Sequence, residues 1–181
     1  QKFAPEAALV HSGLLRLTSD PNHVCPTLLD QYLTLDEQAV SYLLGERGLD
    51  QRLSRFCEIV EPRSDTAVDV ELQGLIPLLV DARKYSRPLH LYFHGIPGAG
   101  QRAAISALAG SLGAPLLIAD LAVLPHASDG FEQRVLAVLR DAMLRDAVVL
   151  FDGIDPLLND EHNEPVARFW KAVARHPGVV A

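Results

Sequence analysis

Apolar and polar positions follow two rhythms along the chain, and the change falls near residue 65. Before it, apolar residues recur at helical spacing. Pro5 opens a run in which Ala7, Val10, Leu14 and Leu17 share a face, and a loop around Ser19-Asp20-Pro21-Asn22 closes it. Thr34-Leu35-Asp36-Glu37 reads as a capping box, threonine hydroxyl and glutamate carboxylate each satisfying the other's orphan N–H, with Gly45 after Leu44 as the stop. A third run starts near Asp50 and carries Leu53, Phe56 and Ile59; the polar stretch Glu61-Pro62-Arg63-Ser64-Asp65 reads as a linker. The pattern predicts a small helical module over 1–65 and a second domain over 66–181.

In the second domain a helical stripe of Leu72, Leu75, Ile76 and Leu79 precedes an alternation of short apolar runs and amphipathic helices. Strands are predicted at 89–93, 115–119 and 147–151. Helices are predicted at 101–112 (Ile105, Leu108, Ala109 and Leu112 on one face), 130–143 (Phe131, Val135, Val138, Leu139, Ala142) and 164–174, with Val166, Phe169, Trp170 and Val173 inward. Strands and helices in turn imply an α/β fold, a parallel sheet covered by helices on both sides. The last residues, Gly178-Val179-Val180-Ala181, read as the start of a strand that leaves an incomplete sheet edge, so the domain is expected to be truncated at its C-terminal side.

Composition narrows the function classes. With 181 residues and 49% apolar content the chain can bury a core. A net charge of −7 without clustered Lys and Arg makes nucleic acid and anionic membranes unexpected partners. Cys25 and Cys57 lack a C-x-x-C spacing, the seven histidines form no ligand-spaced cluster, and a reducing cytoplasm is the expected compartment. No apolar run approaches the roughly 18 to 20 residues that span a bilayer.

The chemistry concentrates in two segments. Gly95-Ile96-Pro97-Gly98-Ala99-Gly100-Gln101-Arg102 has the glycine frame of a phosphate-binding loop between a predicted strand and a predicted helix, where successive backbone N–H groups wrap phosphate oxygens. A tight turn that only packs closely is the plainer alternative. One strand later, Val148-Val149-Leu150-Phe151-Asp152 is an apolar run closing on an acid, the pattern that supplies a Mg²⁺-associated carboxylate. Together with Gly153-Ile154-Asp155-Pro156-Leu157-Leu158, these segments resemble the Walker A and Walker B motifs of the AAA+ ATPase family, over about residues 70–181.

The resemblance implies a cytoplasmic ATPase that remodels or assembles a protein partner as a homo-oligomeric ring, each arginine finger coming from the next subunit. ATP or ADP would be bound at 95–102, with Mg²⁺ and Asp152 as the metal-associated and catalytic acid, and Asp155 as second acid. The text from Leu35 to Leu53 is similar to the helical extension of bacterial AAA+ proteins linked to contractile injection systems, and the N-terminal module is expected to be winged-helix-like. Three positions depart from the family pattern. Gln101 replaces the loop lysine, which weakens phosphate binding by about one to two orders of magnitude, with Arg102 the nearest substitute charge. Arg102 itself replaces the Mg²⁺-binding hydroxyl. Gly153 stands where the catalytic glutamate belongs, a loss of about 10²–10⁴-fold in rate. Glu161 and Glu164 are the candidate replacements, read here as a solvated acidic rim. The sequence therefore predicts ATP binding with impaired hydrolysis; the alternatives are an inactive pseudo-ATPase scaffold and, less well matched by Asp152-Gly153-Ile154-Asp155, a small-molecule kinase.

Overall fold

The computed structural model describes residues 8–19, 31–46, 48–63, 67–96, 98, 100–124, 130–158 and 164–181. The predicted loop residues 20–22, the linker end at 64–65, Cys25, Pro97, Ala99 and Glu161 lie outside them. The chain forms two compact units, Gln1–Gly48 and Leu49–Ala181.

The first unit holds α1 (Ala8–His11), β1 (Leu15–Ser19), β2 (Gln31–Leu35) and α2 (Glu37–Leu43). Two of its predicted elements differ from expectation. Leu14 and Leu17 do not continue a helix: a turn in which the Gly13 N–H meets the Val10 carbonyl ends α1, and Leu17 sits on β1 opposite Leu33. The period-2 text Leu15-Arg16-Leu17-Thr18 is taken up by an antiparallel partner, β2. Thr34 then lies within β2, paired with Arg16, and cannot cap α2. Asp36 caps it instead, in extended conformation, its Oδ1 accepting the Gln38 N–H at 3.1 Å.

In the second unit β3 (Cys57–Val60), β4 (Leu89–His90), β5 (Leu116–Asp120), β6 (Val148–Asp152) and β7 (Val179–Val180) form one sheet in the order β3-β5-β6-β7-β4. The β3 strand runs antiparallel to β5, and the other pairings are parallel. Helices α3 (Ile76–Lys84, after a 3₁₀ turn at Val70–Leu75), α4 (Gln101–Ser111), α5 (Phe131–Arg145), α6 (Asp155–Leu158) and α7 (Glu164–Arg175) alternate with the strands.

The helix predicted from Asp50 through Ile59 is only a turn over 51–56, after which Ile59 and Val60 join β3 on the otherwise open edge of β5. Leu53 and Phe56 are buried in this unit's core, so the division falls before Leu49 where the pattern placed it at 65/66. Gly178–Val180, expected at a sheet edge, lies inside the sheet between β6 and β4: the Leu89 N–H donates to the Gly178 carbonyl at 3.0 Å and the Ala181 N–H to the Val149 carbonyl at 2.8 Å.

Side chains alternate across the sheet as a pleat requires. Leu116, Ile118, Val148 and Leu150 meet α3 and α4 through Leu79, Ile105 and Leu108; Leu117, Ala119, Val149 and Phe151 meet α5 and α7 through Phe131, Val135, Val166 and Phe169. The chain crosses from β4 to β5 with α4 on one face, then returns through β6 to β7 with α5 and α7 on the other. Opposite directions on opposite faces keep a single crossover hand.

Candidate functional site

Beyond the C-terminal ends of the parallel strands lies a cavity of about 1100 Å³, lined by Gly95, Gly98, Gly100, Gln101 and Arg102 of one predicted segment and by Asp152, Gly153, Ile154 and Asp155 of the other. Its position follows from the topology. The chain leaves β4 toward one face and β5 and β6 toward the other, and α/β sheets form crevices where such paths part. Gly98 and Gly100 stand at φ +85° and +94°, the left-handed region, and a Cβ on either would meet open space. Backbone conformation, not crowding, therefore calls for glycine at both positions. Gly100 is the N-cap of α4, so the free amides of that helix open beside the cavity. Gly95 and Ile96 are exposed, Ile96 at 80%.

The two substituted loop positions are both engaged. The Gln101 amide donates from Nε2 to the Ile96 carbonyl at 3.1 Å, bracing the loop against the start of its own helix. Arg102 pairs through Nη2 with Glu58 Oε1 at 2.5 Å, both side chains about half exposed. Glu58 is opposite Ile118 in the β3–β5 ladder and so projects on the α4 face.

Asp152 ends β6 in register with Asp120 at the end of β5, and the pleat turns both toward the α4 face. Their duties differ. Asp120 Oδ1 accepts the N–H groups of Ala122 at 2.8 Å and Val123 at 3.3 Å, holding the turn after β5. The Asp152 side chain is exposed on the cavity, and its backbone carbonyl accepts the Leu121 N–H at 2.9 Å. Gly153 follows at φ +75°, 3.5 Å from the Ala122 nitrogen by its notional Cβ. A glutamate there would have to take a left-handed backbone, which costs an L-residue about 1–2 kcal/mol. Asp155 begins α6 and lines the cavity, whereas Glu164, at the start of α7, is exposed and outside the lining.

Aromatic side chains form the other wall. Tyr92 and His94 stack with centroids 6.1 Å apart. Phe169 is core, as its spacing predicts, edge-on to Phe151 at 5.0 Å; Trp170, expected beside it on the inner face, is 39% exposed and faces the cavity. His90 Nε2 lies 3.0 Å from the Val173 carbonyl oxygen. Buried His176 is driven down to about 4 by desolvation and secondarily by His90. Burial, with Asp141 adding, pushes the Cys57 thiol up to about 12, so it is no nucleophile at neutral pH.

Two residues next to the site, neither of them in the cavity lining, carried weak or no sequence signal. Asp120 closes an apolar run just as Asp152 does. Glu58 had none, because its strand was masked by the helical spacing of Leu53 and Phe56. Among the described residues no group of three or more His, Cys, Asp or Glu is arranged to hold a metal, and no helix is long and apolar enough to cross a membrane.

Residues 1–57 match the family model described as "Winged helix domain, variant". The match covers β1, β2 and α2, a strand pair beside a short helix, and under half of the chain. No curated protein matches the chain in sequence.

Proposed function

We propose that residues 49–181 are a nucleotide-binding module of the P-loop class, similar to AAA+ ATPases, and that its ligand is ATP with Mg²⁺. The observation that carries this reading is the meeting of the glycine loop and the Asp152 segment on one cavity at the C-terminal ends of parallel strands. Loop and helix amides from Gly98 to Arg102 would receive the phosphates, and the aromatic wall of Tyr92, His94 and Trp170 offers an apolar seat for a base. Mg²⁺ ordinarily keeps several waters and takes one or two carboxylates plus phosphate oxygens, a donor set that Asp152 suits even without a hydroxyl at position 102. Bound there, the ion would neutralise phosphate charge.

Hydrolysis is slow in this reading. Gly153 presents no carboxylate to orient water, a role worth about 10²–10⁴-fold. The module would thus work chiefly by binding ATP, as a remodelling or assembly component whose first unit recruits a protein partner and whose copies form a ring. A second reading, an inactive scaffold, is favoured by Gln101, whose amide closes on Ile96 where a lysine would extend toward phosphate. Calorimetry separates the two: micromolar to sub-millimolar Mg-ATP binding is expected, and absence of both heat and thermal shift at millimolar ATP would leave the scaffold.

A further inference from the structure

Arg102 is the one Arg or Lys among the described residues lining the cavity, which also carries the carboxylates of Asp152 and Asp155. A polyphosphate entering that space therefore meets a single guanidinium. That group is held elsewhere, on Glu58, which lies outside the lining. The arrangement has a local logic. Arg102 occupies the first turn of an 11-residue helix, whose positive end disfavours a cation, and a carboxylate offsets that repulsion. A phosphate in the loop would offset it equally well. The Arg102–Glu58 pair is half exposed, and pairs so open to solvent hold weakly against a multiply charged rival.

We propose that Glu58 is a built-in competitor for Arg102: it keeps the guanidinium off the phosphate position until a polyphosphate displaces it, and Arg102 then serves as the phosphate-binding cation that Gln101 cannot be. The proposal rests on the nucleotide-binding reading of the same cavity. It makes β3, the antiparallel edge strand, part of the site. Arg suits the exchange, since its planar donor fork fits carboxylate and phosphate alike.

The test is Mg-ATP calorimetry on the 181-residue chain and three variants, Glu58→Gln, Arg102→Gln and the double substitution, with melts to establish that each is folded. Glu58→Ser serves if the glutamine variant is not. Removing the competitor is expected to tighten binding roughly 3- to 5-fold, the scale of an exposed pair. Arg102→Gln is expected to weaken it roughly tenfold or more, the scale of a charge-assisted bond. In the double variant the gain from Glu58→Gln should vanish. Unchanged or weaker binding by Glu58→Gln, or an equal gain with Arg102 already absent, overturns the competition while leaving nucleotide binding in place. No heat from the unaltered chain or from Glu58→Gln at millimolar Mg-ATP overturns the nucleotide reading, and this proposal with it.

Discussion

His176 shows how one buried ring couples acid stability to the sheet. Its backbone joins α7 to β7, the His176 N–H donating to the Val173 carbonyl at 3.0 Å and the Gly178 N–H to the His176 carbonyl at 2.9 Å. A Cβ on Gly178 would lie 2.8 Å from the ring's Nε2, so the imidazole and the entry to β7 share one tight space. The ring is 6% exposed, and its folded-state value falls from the ordinary 6.5 to about 4. Protonation therefore favours the unfolded chain: the group's contribution is complete above pH 6.5 and is lost as pH falls toward 4. The loss should approach about 3 kcal/mol. Denaturant melts across that window should show the slope, and His176→Gln should flatten it; an unchanged slope would mean other groups carry the acid sensitivity.

At the scale of elements, α2 is set by a carboxylate with two tasks. Asp36 is 3% exposed, caps the Gln38 N–H through Oδ1, and receives Arg16 Nη2 on Oδ2 at 2.6 Å, tying helix α2 to strand β1. Asp36→Ala should destabilise the first unit by about 1–3 kcal/mol, since a cap and a charged partner go together. Thr34→Ala should stay within about 0.5 kcal/mol, the range for exposed substitutions. Thermal melts of the two variants distinguish the caps, and equal losses would restore Thr34 to the role its sequence spacing suggests. The sequence spacing pointed to Thr34 alone; its pairing into the β1–β2 ladder removed it from that role and left the N-cap to Asp36. Helices α4 and α5 of the second unit were easier to read than its start at 50–60. Predicted helices 101–112 and 130–143 appear as Gln101–Ser111 and Phe131–Arg145 because long periodic faces and fully buried strands repeat their signal many times.

For the whole molecule, β3 decides where the second unit begins. Leu53, Phe56 and Cys57 bury their side chains in its core, and β3 covers the edge of β5 through pairs from Cys57↔Ala119 to Val60↔Leu116. A chain of residues 49–181 should melt cooperatively, whereas residues 66–181, starting at the boundary the sequence pattern suggests, would bare that edge and those core positions. The shorter piece is expected to aggregate or lose its transition by circular dichroism; matching melts for both would place β3 outside the folding unit.

The elements of the candidate site lie in contiguous text: glycines at 98 and 100 for a left-handed turn, an apolar run closing on Asp152, helix faces repeating every three or four residues. Each is a constraint on neighbours within one turn or one strand, and so it is written where it acts. Side-chain partnership across the sheet is not. That Glu58 receives Arg102, that Gly178–Val180 sits between β6 and β4, and that Trp170 faces the cavity depend on which strands become adjacent, a choice made by burying two faces of one sheet at once rather than by any local preference.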